Sequence, residues 1–132
     1  MRRVYLDSAP VIYLVERTPG FYARVQAVLQ PSDWLVVSDI TRMECRVLPL
    51  RNGNNDLLRD FDDFFAQYVN ELVPLTTAVI DQATEIRATY RYTPLDSIHL
   101  AAAMVARCNL FLTNDVRLAG FQGIQVVTVS SG

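Results

Sequence analysis

The chain of 132 residues contains no lysine, so all twelve of its basic residues are arginine. It has one histidine, His99, and two cysteines, Cys45 and Cys108, without the clustered Cys/His spacing of a zinc site. Any metal would therefore be held mainly through oxygen. Five glycines and six prolines beside 51% hydrophobic residues exclude a disordered or low-complexity chain. No apolar run approaches the roughly 18 to 20 residues of a membrane span. The arginines of "MRRVYLDS" precede an apolar run that Asp7 cuts too short for a signal-peptide core. A cytoplasmic protein with no membrane association is expected. A pI near 5.2 and a net charge of −2 argue against non-specific nucleic-acid binding through a basic surface. The two cysteines lie in segments that read as helical and are expected to be free, buried thiols.

What is present is an alternation of short strands and helices over a length that suits one domain, residues 1–132. "RVYL" (3–6) reads as a strand, and Pro10 in the following first turn starts a helix to about Glu16. A second helix runs from Phe21 to Gln30 and stops at Pro31. "WLVVS" (34–38) is a strand whose Ser38 caps the next helix, with Asp39 near the positive end of its dipole. After the turn "RNGNND", Leu57, Phe61, Phe64, Phe65 and Tyr68 recur at helical spacing. "ELVPL" is a short strand; Thr76 or Thr77 then caps a helix through about Tyr90, and Pro94 starts another over "TPLDSIHLAAAMVARC". "LFLT" (110–113) and "IQVVTV" (124–129) are strands flanking a helical turn. The order predicts a mainly parallel sheet with helices on both faces.

Ligands of such sheets bind beyond the carboxyl ends of the strands. Asp7 directly follows the first strand and Asp115 stands two residues past "LFLT", so both are expected on one rim; each could equally cap the next helix. Glu44 interrupts an apolar stripe of Ile40, Met43, Val47 and Leu48, where a lone carboxylate costs several kcal/mol unless paired, protonated or bound to metal. Asp96 sits in the first turn of a helix so apolar that it must be largely buried, where the dipole alone would also favour an acid. Four acids so placed repel one another unless a cation intervenes. Oxygen donors favour Mg²⁺ or Mn²⁺, which bridge to phosphates and assist attack of water on a phosphodiester. Ser8, Thr113 and Asn114 are placed to hydrogen-bond neighbouring carboxylates or simply to end strands and cap helices. His99, three residues after Asp96, either orients that acid or packs in the core.

The segments "YLDSAPVIYL", "SDITRMECRVLPL", "TPLDSIHLAAA" and "LFLTND" resemble, in order and over nearly the whole chain, the four acidic motifs of PIN-domain ribonucleases, above all VapC-type toxins. The resemblance implies a three-layer α/β/α sandwich around a parallel five-stranded sheet. It also implies that Asp7, Glu44, Asp96 and Asp115 gather around Mg²⁺ or Mn²⁺ as the catalytic set. Hydrolysis of RNA to a 5′-phosphate and a 3′-hydroxyl, inhibition by a cognate antitoxin, and a homodimer follow from the same likeness. Setting those four acids aside leaves ten against twelve arginines, a balance that suits an RNA surface. Arg3, Arg42, Arg46 and Arg117 lie near the motifs. The aromatic helix around Phe61 to Tyr68 is either interface or core.

Three other readings are weaker. A phosphoacceptor receiver domain would need a lysine and an adjacent acidic pair; a haloacid-type phosphatase would need Asp-x-Asp where Ser8 and Ala9 follow Asp7. A PIN-like scaffold that binds without catalysis has no need of all four acids.

Overall fold

The structure, a computed structural model, describes residues 1–129. Strands β1 (Arg3–Leu6), β2 (Trp34–Ser38), β3 (Glu71–Val73), β4 (Leu110–Thr113) and β5 (Gln125–Thr128) alternate with helices α1 (Ser8–Glu16), α2 (Phe21–Val28), α3 (Asp39–Arg51), α4 (Asn55–Gln67), α5 (Thr77–Tyr90) and α6 (Pro94–Val105). A 3-10 turn, Val116–Gly120, precedes β5. The five strands form one wholly parallel sheet in the order β3-β2-β1-β4-β5. This is the three-layer α/β/α sandwich that the alternation and the resemblance implied. Among the described residues, no helix is long and apolar enough to cross a membrane.

Alternation along β1 distributes its side chains between two cores. Val4 and Leu6 meet Val11, Val25, Phe61 and Phe65 on one face, while Tyr5 points to the other, among Leu100 and Phe111. The Tyr5 and Phe111 rings stack at 5.2 Å. On α6, Leu100, Ala101, Ala102 and Ala103 are all fully buried, and the small alanines let the helix lie close on the sheet. A buried leucine of this kind contributes about 1.5–3 kcal/mol.

Two expectations need correction. The buried face of α3 is not the stripe read from the sequence: Ile40, Thr41, Cys45 and Pro49 are buried, whereas Met43, Val47 and Leu48 are exposed. Thr41 is buried because its hydroxyl has internal partners, the Ser38 backbone N–H among them. Cys45 is a free, buried thiol as expected, but α6 ends at Val105, Arg107 turns the chain with a φ of 57°, and Cys108 lies beyond the helix, free and only half-buried. Burial still holds the Cys108 thiol pKa up to about 12.

At the amino end of the sheet, Arg2 donates to both oxygens of Asp33 at 2.9 and 2.6 Å, and the Gln30 N–H donates at 2.8 Å. Burial alone would raise the Asp33 pKa, but these donors win and hold it low, with the carboxylate only 1% exposed. Its contribution to stability is therefore present above the unfolded value, roughly 4, and lost as pH falls through the lower folded value. Asp33→Asn is expected to destabilise the protein by about 2 kcal/mol at neutral pH. In urea melts the gap from the unmodified chain should narrow as pH falls below the unfolded value of roughly 4.

Candidate active site

The sheet order changes direction at its centre: from β1 the chain continues outward through β2 and β3, and from β4 through β5. The carboxyl ends of β1 and β4 thus flank a topological switch point, where such folds form a crevice. Asp7 ends β1 in extended conformation and caps α1 by accepting from the Ser8 N–H at 2.8 Å. Asp115 follows β4 and caps the 3-10 turn by accepting from the Arg117 N–H at 3.0 Å. Thr113 joins the two: its hydroxyl donates to Asp7 Oδ2 at 2.7 Å and accepts from the Asp115 N–H at 3.0 Å. With Ala9, Asn114, Val116 and Arg117, these residues line a crevice of about 480 Å³. Asp7 therefore both caps α1 and joins the rim through Thr113.

Glu44 reaches this rim from the second turn of α3. One of its oxygens accepts from Ser8 Oγ at 2.6 Å and lies 2.6 Å from His99 Nε2. The same His99 nitrogen stands 3.4 Å from Asp7 Oδ1. His99 is 2% exposed, and its Nδ1 lies 2.8 Å from the Tyr5 hydroxyl, which donates to Ser38 Oγ at 2.8 Å and adjoins Thr41 Oγ1 at 3.3 Å. A buried polar relay therefore runs from the start of α3 through Tyr5 to the carboxylates, and a group left unpartnered there would be costly. Burial pushes the His99 pKa down, but the Glu44 hydrogen bond and the charges of Asp7, Glu44 and Asp96 outweigh it and raise it. Burial likewise works to raise Glu44, yet His99 and Ser8 bring it below the ordinary glutamate value.

Asp96 enters from the first turn of α6, which Pro94 opens and Thr93 caps by accepting the Asp96 N–H at 3.2 Å. Its carboxylate lies 3.5 Å from Arg117 Nη2, and Arg117 also donates from Nε to Asp115 Oδ1 at 2.9 Å. The hydrogen bonds from Arg117 hold the Asp115 carboxyl below the usual range. The four acids are thus linked in one chain of contacts: Glu44 to His99 to Asp7 to Thr113 to Asp115 to Arg117 to Asp96.

Of the two roles open to His99 in the sequence, the packed core position holds, since the ring is buried and hydrogen-bonded on both sides; it does not orient Asp96 but bonds Glu44 and approaches Asp7. Tyr5, Ser38 and Thr41 gave no signal, since a tyrosine on a buried strand reads as packing. Of the four arginines near the motifs, only Arg117 reaches the acids. Arg3 pairs with Glu71 at the opposite end of β1, and Arg42 and Arg46 pair with Asp62 on α4.

Ligand atoms from Asp7, Glu44 and His99 lie within 4.8 Å of one another, close enough to share a metal ion. Beside them Asn114 Oδ1 is buried without a partner, its amide nitrogen donating to the Tyr13 hydroxyl. Carboxylate oxygens suit a hard divalent cation such as Mg²⁺ or Mn²⁺, and His99, whose Nε2 meets Glu44 at 2.6 Å, is placed to orient that carboxylate. The residues present fit such an ion.

A larger groove, about 520 Å³, lies between α1, α2 and α4, floored by Leu14, Leu29 and Leu35 and walled by Tyr22, Phe64 and Tyr68. Phe61 and Phe65, on the same helix, belong to the core.

The family model described as PIN domain matches residues 4–123. No curated protein sequence matches the chain. Among solved structures, VapBC2 from Rickettsia felis bound to a DNA fragment from its promoter aligns with a TM-score of 0.77 at 13% identity, covering 96% of this chain and 98% of that one. VapC20 from Mycobacterium tuberculosis, a toxin that cleaves the sarcin-ricin loop, aligns at 0.69 and 16% identity, covering 92% and 98%. VapBC-1 from nontypeable Haemophilus influenzae aligns at 0.69 and 21%, covering 97% and 98%.

Proposed function

The chain belongs to the PIN domain family, and from that premise we propose that it is a single-domain, divalent-cation-dependent endoribonuclease, the toxin of a VapBC-type toxin–antitoxin pair. The observation that carries the reading is the unbroken chain of contacts joining Glu44, Asp7, Asp115 and Asp96 at the switch point. Asp7, Glu44, Asp96 and Asp115 would hold Mg²⁺ or Mn²⁺. Such an ion supplies Lewis acidity, offsetting phosphate charge and lowering the pKa of water so that hydrolysis leaves a 5′-phosphate. The protein's own part is to fix the donors. Thr113 aims Asp7, Ser8 and His99 fix Glu44, and Asp96 is set by a capped helix start. RNA is the substrate suggested by the resemblance and by the sarcin-ricin loop activity of VapC20.

The partners follow from the same reading. The groove between α1, α2 and α4 offers an apolar floor to an antitoxin segment, consistent with relatives solved as toxin–antitoxin complexes. The exposed Met43, Val47, Leu48 and Leu50 on α3 give a second apolar surface, suited to a homodimer. A cytoplasmic site of action agrees with an RNA target and a protein antitoxin.

Purified protein incubated with labelled RNA should cleave it with Mn²⁺ or Mg²⁺, stop in EDTA and resume when Mn²⁺ is returned. Asp96→Asn, prepared in parallel, should remain at background, which excludes a contaminating nuclease. Absence of metal-dependent cleavage across structured and single-stranded RNAs would leave the binding scaffold as the better reading.

A further inference from the structure

We propose that Arg117 is a two-position residue: its guanidinium holds Asp96 and Asp115 together until a divalent cation displaces it, and it then turns outward to grip an RNA phosphate. The inference rests on the nuclease reading above, in which Arg117 serves only as the contact between Asp115 and Asp96. Among the described residues, Arg117 is the one arginine whose ion pairs bridge two of the four acids. Its side chain is 66% exposed, while those of Asp96 and Asp115 are 19% and 26% exposed, so the acids stay fixed and the arginine is free to move. The tether is short. Arg117 starts from the turn that directly follows Asp115 and lines the crevice, so any position it takes remains beside the acids.

Charge supplies the exchange. A guanidinium offsets one unit of the repulsion between two carboxylates, and a dication offsets two, so the acids favour the dication once it is present. The displaced guanidinium still carries a planar fork of donors that matches a phosphate. It would then stand at the lip of the same crevice, where a bound strand presents its phosphates.

The test combines cation and RNA binding. Mn²⁺ is titrated calorimetrically into the unmodified protein, Arg117→Gln, and Arg59→Gln, which removes an exposed arginine on α4. A fluorescent oligoribonucleotide is then bound by each protein with Ca²⁺ in place of Mn²⁺. Arg117→Gln should bind Mn²⁺ about threefold to tenfold more tightly, because an exposed ion pair no longer competes. It should bind RNA about tenfold more weakly, with the slope of log K against log salt reduced by roughly 0.7. Arg59→Gln should change neither. If the unmodified protein binds Mn²⁺ and Arg117→Gln binds no better, or Arg59→Gln improves binding equally, the arginine does not compete and the proposal fails while the nuclease reading stands. Tighter Mn²⁺ with unaltered RNA affinity overturns the outward position. No Mn²⁺ binding by any of the three proteins overturns the nuclease reading and this inference together.

Discussion

Asp7→Asn is expected to reduce metal-dependent RNA cleavage by about 10²- to 10³-fold, the scale on which loss of one preorganised charge-stabilising group acts. The residue is the hub of the rim, bonded to the Ser8 N–H and Thr113 Oγ1 and 3.4 Å from His99 Nε2. Asparagine keeps the shape and can still accept from Ser8, but its amide nitrogen meets a threonine hydroxyl that now has to turn. That cost is offset by removing one of four mutually repelling charges. Thermal stability without metal should therefore stay within about 1 kcal/mol of the unmodified protein. Mn²⁺ should separate the two proteins: at a hundredfold excess over its dissociation constant it stabilises the unmodified chain by about 2.7 kcal/mol, visible as a higher melting temperature, and should do much less for Asp7→Asn. Cleavage within tenfold of normal would remove Asp7 from the catalytic set.

The sequence was most legible where chain direction alone does the placing. A carboxylate one or two residues past a parallel strand must emerge at the carboxyl rim, so Asp7 and Asp115 could be located without knowing any contact. Strand order could not be derived the same way; that β1 and β4 are neighbours depends on which crossovers the chain takes. The α3 stripe misled because periodicity assumes that apolar means buried. There the buried positions include Thr41, whose hydroxyl is satisfied by Ser38 and adjoins Tyr5, while Met43, Val47 and Leu48 face outward. Glu44 consequently lies at the border of the buried face, with its side chain 30% exposed, and interrupts no apolar stripe. The buried position of His99 was legible from its apolar helix, but its partners were not: i, i+3 neighbours share a helix face, and a ring on a buried helix reaches across to whichever element packs there, here Glu44 and Tyr5 rather than Asp96. Arg117 sits two residues from Asp115, and reads from sequence as any exposed arginine would.

His99→Phe is expected to lower cleavage by about 10- to 100-fold, the usual loss when a residue that orients a metal-binding side chain is removed. The ring volume is roughly preserved, and the edge-to-face contact with Tyr5, at 5.8 Å between centroids, has an aromatic replacement. What disappears is the pair of hydrogen bonds. Tyr5 retains Ser38 and Thr41, so the core side of the relay stays satisfied. Glu44 retains only Ser8 Oγ and loses its second anchor, leaving its carboxylate free to swing away from Asp7. The stability cost should be about 1.5–3 kcal/mol, as for a hydrogen bond to a charged group. Activity and stability are separated by His99→Gln, whose amide nitrogen can donate to Glu44 without replacing the ring. Recovery of cleavage in His99→Gln beyond any recovery in melting temperature, with Mn²⁺ affinity rising in step, would identify the Glu44 hydrogen bond as the working contact. If His99→Phe melts earlier yet cleaves RNA at the unmodified rate, the histidine is a packing residue and Ser8 alone suffices to hold Glu44. Unlike Arg117, His99 is closed off from solvent and cannot leave when a cation arrives, so its variants should alter the bound and the ion-free protein alike.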